Sequence, residues 1–267
     1  MKPSKKIYIL VDMEGSSGIC RSSQVMPGEL HYQEGRICMT RDVSTCVKAC
    51  KEAGATEIIV RDIHNTCFNL IWDQLPSLEG VRYVMGESQM GRMPGADGGF
   101  AGLILLGYHA MAGTPYGVLE HTASSRTWQN FWMNGVPSGE IAVEAGIAGD
   151  MGIPVIMVSG DDKAIVEARQ FLPHAVTSEV KKGTGIEGAM LLPVEEAQAL
   201  IREKTIDAVN RCEEMPPFVV EKPVTMRLQL VSRGRVPRHR PGVREIDGQT
   251  FEITAATVQE GVYLIEG

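Results

Sequence analysis

Ile7-Tyr8-Ile9-Leu10-Val11-Asp12-Met13-Glu14-Gly15 decides how the rest of the 267-residue sequence is read. An apolar run that stops abruptly in two carboxylates is the pattern of a buried parallel strand whose end carries polar chemistry. The pattern recurs. Ile58-Ile59-Val60 leads into Asp62-Ile63-His64, and Leu103-Ile104-Leu105-Leu106 leads into Gly107-Tyr108-His109. A fourth polar segment, Ser138-Gly139-Glu140, stands where a helix is expected to begin. In an open parallel sheet the carboxyl ends of the strands share one edge, and ligands bind along it. Asp12, Glu14, His64 and His109 are therefore expected to meet in space, and their chemistry points to a metal site.

Composition bounds the class. Hydrophobic residues make up 43% of the chain and charged residues 22%, which fits a globular protein with a substantial core and excludes the disordered classes. A net charge of −7 disfavours nucleic acid as a partner, because a phosphate backbone is bound mainly by clustered positive charge. No apolar stretch approaches the length of a membrane span, and the basic start breaks into Asp12 too soon for a signal peptide. Six cysteines without close C-x-x-C pairs read as reduced thiols of a cytoplasmic protein. Cys46 and Cys50, one helical turn apart on the face of Met39 and Val43, read as small core hydrophobes.

Outward from the first strand, the pattern alternates strand and helix and predicts an α/β fold. It is a three-layer, mostly parallel sheet with helices on both faces, followed by a smaller C-terminal α+β unit. A helix over residues 35–53 presents Met39, Val43, Cys46, Val47 and Cys50 on one face, and Gly54 stops it. Strands are expected over 56–60, 81–85, 102–106 and 153–158. Residues 90–99 read as a surface loop and 111–126 as a loop crossing the active edge. Ser138 is the expected N-cap of a helix over 139–150, and Asp161 or Asp162 that of a helix over 163–171. A division near Pro173 separates a catalytic domain (1–173) from a smaller domain (174–267) expected to contribute oligomer contacts. The latter holds a helix over 194–211, a strand from Val224 to Leu230 and a hairpin turning at Asp247-Gly248, without a long final helix.

Oxygen and imidazole donors without thiolate suit Zn²⁺ or Mn²⁺, and a carboxylate-rich set is what a two-metal hydrolytic centre uses. Asp12 is the natural bridging carboxylate, and Glu14 shares its face if the chain stays extended. Taken singly, each residue has a duller use: Asp12 could cap a turn, His64 could be a satisfied loop imidazole, and Glu140 could neutralise its helix N-terminus. Their coincidence on one edge favours the metal. Glu144, one turn beyond Glu140, is expected in outer support or on the solvent face. From a loop beside the metals His121 could act as general base, general acid or oxyanion donor, and on spacing alone an exposed loop imidazole is an equal alternative. Arg233, Arg235, Arg238, Arg240 and Arg244 read as a solvated loop or subunit contact, with anion recognition as the lesser alternative.

On these segments the sequence resembles the M55 family of zinc-dependent aminopeptidases. The resemblance is carried by Val11-Asp12-Met13-Glu14-Gly15-Ser16-Ser17-Gly18, Asp62-Ile63-His64-Asn65, Gly107-Tyr108-His109-Ala110, His121, Asn134-Gly135, Gly139-Glu140 and Val158-Ser159-Gly160-Asp161-Asp162. It implies that Asp12, Glu14, His64, His109 and Glu140 ligate two zinc ions per chain, with Asp12 bridging and Mn²⁺ or Co²⁺ as substitutes. It also implies that His121 is the catalytic histidine. The family assembles as a homodecamer of two stacked pentameric rings around a chamber, which would admit short peptide substrates. The expected function is therefore removal of the N-terminal residue of short peptides, with preference between D and L residues left open. A metal-dependent phosphatase using Asp12 as nucleophile and a non-catalytic metal- or ligand-binding assembly protein are the alternatives.

Overall fold

The computed structural model describes residues 5–266; Met1–Ser4, part of the basic start, and Gly267 lie outside it. The first strand, β1 (Lys5–Val11), is the centre of the fold. Its alternate side chains enter two different cores, as a strand buried on both faces requires. Ile7, Ile9 and Val11 pack with Met39, Val43 and Ile201, whereas Tyr8 and Leu10 pack with Leu105, Ile141 and Ala164.

Helix α1 (Tyr32–Glu52) covers the first face with the apolar stripe read from the sequence, Cys46 and Cys50 included. It leads to β2 (Ala55–Asp62) and β3 (Val81–Val84) on one side of β1, after which the chain returns to β4 (Gly102–Tyr108) on the other. Helix α2 (Glu140–Asp150), β7 (Val155–Asp161) and α3 (Asp162–Phe171) continue outward. The sheet then gains β8 (Val176–Gly185) and β9 (Gly188–Leu191), and α4 (Val194–Asn210) returns to pack on α1. The strand order is β3-β2-β1-β4-β7-β8-β9, parallel except for β9. Because the order reverses between β1 and β4, the crevice for a ligand opens at their carboxyl ends.

A second, antiparallel sheet has the order β11-β12-β10-β5-β6. It is built from β5 (Trp128–Met133), β6 (Val136–Pro137), β10 (Val224–Leu230), β11 (Arg244–Glu245) and β12 (Thr250–Ala255). The hairpin at Asp247-Gly248 forms as expected, with Asp247 Oδ1 accepting from the N–H groups of Gln249 and Thr250 at 2.8 Å. A final helix, α5 (Val258–Glu266), packs on β10, β12 and α2, which draws this sheet into the core beneath Tyr8 and Leu10. Residue 173 falls between α3 and β8, so a cut there would part the large sheet and would also take β5 and β6 from the small one. No helix among the described residues is long and apolar enough to cross a membrane.

Candidate metal centre

Register brings the site together. Val11 lies opposite Asp62 on one side and Leu106 on the other, so the chain leaves three neighbouring strands at the same height. Two glycines then let the ends of β1 and β4 touch. A Cβ on Gly15 would lie 1.8 Å from the Tyr108 carbonyl oxygen, and one on Gly107 would lie 2.4 Å from that of Asp12. Gly107 also has φ +73°, a conformation that a side chain penalises. In place of those side chains run the bonds Asp12 N–H to Leu106 O and Gly15 N–H to Gly107 O.

Beyond Val11 the chain bends rather than staying extended, with Ser16 N–H closing a turn on Met13 O. The turn still delivers Asp12 and Glu14 to one point. His64 Nδ1 is 3.1 Å from Asp12 Oδ1 and 2.9 Å from Glu14 Oε2, and His109 Nε2 is 3.3 Å from Asp12 Oδ2 and 3.4 Å from Glu140 Oε1. Glu140, the first residue of α2, also accepts from Ala123 N–H at 2.8 Å. The N-cap of that helix is Gly139 rather than Ser138, whose hydroxyl donates to Val136 O instead. His121 completes the group: its ring stacks on His109 at 4.1 Å, and its Nε2 lies 3.8 Å from Glu140 Oε1. All six residues singled out from the sequence are thus in one place.

The imidazoles reveal what the cluster is arranged to hold. His64 Nε2 is bound to Val25 O, His109 Nδ1 to Ala110 O and His121 Nδ1 to Leu119 O. A carbonyl oxygen only accepts, so each of these nitrogens carries the hydrogen. The other nitrogen of every ring faces carboxylate, an arrangement that repels unless a positive charge lies between. Backbone carbonyls that fix the tautomer and leave the second nitrogen pointing inward are the usual outer support of metal-binding histidines. His109 Nε2, 3.3–3.4 Å from the carboxylates of Asp12 and Glu140, is moreover buried without a well-formed hydrogen bond. The donor set fits a cation, and its mixture of oxygen and nitrogen fits zinc.

The electrostatics agree. Burial opposes a charge on His64 and His109, yet Glu14 and Asp12 around the first, and Glu140 and Asp12 around the second, hold both rings well above the usual imidazole range. Burial likewise opposes charge on Asp12 and Glu140, and the imidazoles outweigh it, holding Asp12 well below the carboxylate range and Glu140 at about 2. The cluster therefore keeps its carboxylates ionised and draws positive charge to the nitrogens between them.

Residues outside the cluster fix its parts in place, most of them without a local sequence signal. Lys181, buried on β8, donates to the carbonyls of Glu14, Ser16 and Ile19 and so fastens the acidic turn. Asp42 on α1 grips the same turn through the N–H and hydroxyl of Ser17. Asp62 accepts from the N–H groups of His64, Asn69 and Leu70 and folds the loop that carries His64. Of the two places expected for Glu144, outer support and the solvent face, it takes the first: it is fully buried, and Arg92 from the loop after β3 binds it at 2.6 Å. Leu119 and Ala123, two residues either side of His121, have φ of +52° and +55°, a local strain that turns the loop around the imidazole. The arginine-rich loop lies elsewhere. Arg238 pairs with Glu245, Arg244 with Glu252, and Arg240 reaches Leu264 O.

Above the cluster opens a cavity of about 700 Å³, with Asp12, Glu14, His64, His121 and Glu140 in its wall. The family model for D-aminopeptidases of the M55 peptidases matches residues 5–266. A D-aminopeptidase from Bacillus subtilis (strain 168) is 32% identical over 231 residues, 86% of this chain and 83% of its own length. The solved structure of the Zn-dependent D-aminopeptidase DppA from Bacillus subtilis, described as a self-compartmentalizing protease, superposes with a TM-score of 0.93 at 30% identity. That match covers 98% of this chain and 95% of the other.

Proposed function

The chain belongs to the M55 family of D-aminopeptidases and is a peptide hydrolase, and from that premise we propose that it removes the N-terminal residue of short peptides, D-residues included, using two zinc ions. Asp12, Glu14 and His64 would hold one ion, and Asp12, His109 and Glu140 the other. One observation carries this division. The two oxygens of Asp12 face different imidazoles, Oδ1 towards His64 and Oδ2 towards His109, as a shared carboxylate must. Mn²⁺ or Co²⁺ would suit the same donors. Bound there, the ions supply polarisation of the scissile carbonyl and a water acidic enough to attack near neutral pH.

His121 is the group to which we assign proton transfer. With Nδ1–H fixed on Leu119 O, its Nε2 is the basic atom, and it faces both Glu140 and the cavity. The side chain is 17% exposed, against 1% for His109, so it can reach a bound peptide. Nε2 would take a proton from the attacking water and return it to the leaving amine. Stacking on His109 holds the ring in plane for both transfers. Glu120 and Glu266, cavity carboxylates outside the ligand set, suit the substrate's ammonium group and would limit cleavage to the first residue.

The wider reading is a cytoplasmic homodecamer of two pentameric rings. Its supports are the relative described as self-compartmentalizing and six cysteines that are all free. Exposed apolar side chains beyond residue 173, Val219 and Tyr263 among them, support subunit contacts from that part of the chain. The test is metal analysis of the purified protein with hydrolysis of D- and L-alanyl p-nitroanilide. Two zinc ions per chain, with activity abolished by His121→Ala while both ions stay, are the expected results. Loss of an ion in that variant would make His121 a ligand, and no hydrolysis of either enantiomer by the zinc-loaded protein would refute the aminopeptidase.

A further inference from the structure

The cavity over the metal centre is anionic, which poses a problem for a small peptide with a free carboxylate. Its wall carries Asp12, Glu14, Glu120, Glu140, Glu187 and Glu266, and Arg92 and Arg126 are its arginines. Asp12, Glu14 and Glu140 face the imidazoles. Arg92 is engaged already, with Nε on the fully buried Glu144 at 2.6 Å and Nη1 3.6 Å from Glu266. Arg126 differs. Among the described residues no carboxylate lies within ion-pair distance of its guanidinium, and none of its N–H groups has a hydrogen-bond acceptor.

We propose that Arg126 receives the free C-terminal carboxylate of the substrate and so makes an unblocked C-terminus a determinant of specificity. The inference rests on the aminopeptidase reading above. Its support is positional as well as electrostatic. Ala123 N–H is held by Glu140, and the segment after it is folded by Trp128 N–H on Ser124 O and Thr127 N–H on the Ser124 hydroxyl. The three residues from Ala123 to Arg126 span at most about 11 Å of chain. A peptide whose scissile bond lies at Glu140 and His121 therefore needs only one or two further residues to bring its terminus to the guanidinium. The planar fork of arginine donates two parallel hydrogen bonds to a carboxylate, and the cavity's other arginine, Arg92, is held by Glu144 and Glu266.

Zinc-loaded wild type and Arg126→Ala would be compared on D-alanyl-D-alanine, on its C-terminal amide, and on D-alanyl-D-glutamic acid α-amide, which carries only a side-chain carboxylate. Binding of the reduced-amide analogue of D-alanyl-D-alanine, as acid and as amide, would be measured by calorimetry. The expected result is a fall in kcat/KM of about tenfold or more for the free dipeptide, the loss of a charge-assisted pair. The amide should change by less than about twofold, and Arg126→Lys should restore part of the loss. Equal effects on acid and amide, or no effect on either, would overturn the proposal, as would a loss confined to the glutamic acid peptide. If no substrate is cleaved yet the acid analogue binds wild type more tightly than Arg126→Ala, the carboxylate site stands and the aminopeptidase reading falls.

Discussion

Replacing Glu167 with glutamine should flatten the pH dependence of stability. Glu167, on α3, is buried behind the metal centre, where its Oε2 accepts from Met111 N–H at 2.7 Å and its Oε1 has no partner. Burial pushes its carboxyl up from the ordinary 4.5 to about 7. The folded protein thus holds this proton more tightly than the unfolded chain. The associated stability is complete below pH 4.5, is lost as the pH rises through the interval, and is gone above about 7. At roughly 1.4 kcal/mol per pH unit, the wild type should lose about 2–3 kcal/mol between pH 5 and pH 8 through this group alone. Glutamine keeps an acceptor for Met111 and cannot ionise, so the advantage of Glu167→Gln over wild type should grow by about that amount across the same range. Urea unfolding at pH 5 and pH 8, with chelator in both samples, measures it, and comparing the variants removes any constant cost of the amide. Parallel pH profiles would refute the reasoning, and so would an advantage that shrinks at pH 8.

Lys181→Met would leave the carbonyls of Glu14, Ser16 and Ile19 buried without their donor, at roughly 1–3 kcal/mol each, offset in part by removal of a buried charge. A net loss of about 2–4 kcal/mol and a fall in bound zinc below the wild-type level are expected from thermal melts and metal analysis. Gly15→Ala would place a methyl 1.8 Å from Tyr108 O and force β1 and β4 apart, so that Asp12 and His109 no longer meet. Bound zinc should be lost and the Tm lowered, while Gly248→Ala, with open space around it, should change neither.

The site was legible in the sequence because its residues sit where buried strands stop. β1, β2 and β4 announce themselves as apolar runs, and once they are parallel neighbours the register fixes Asp12, His64 and His109 at one level. The bend after Val11 was not legible, since it depends on Gly15 meeting the Tyr108 carbonyl across the sheet. β8 went unseen for a related reason. Lys181 on a strand reads as solvent-facing, yet here it points inward because three carbonyls from a segment over 160 residues away satisfy it. Arg92 and Glu144 lie 52 residues apart, so no local pattern names the one as the partner of the other. β5 gives its partner no local signal either, pairing with β10 almost 100 residues later through registers such as Phe131↔Leu228. Contacts of this kind belong to tertiary pairing, which local pattern does not encode.

The most direct test is a crystal structure of the zinc-soaked protein with anomalous data on both sides of the zinc edge. Two peaks roughly 3.5–4 Å apart, one on each side of the Asp12 carboxylate and within bonding distance of His64 and His109 respectively, are the expected outcome. A single peak, or two that share no contact with Asp12, would contradict the shared-carboxylate centre.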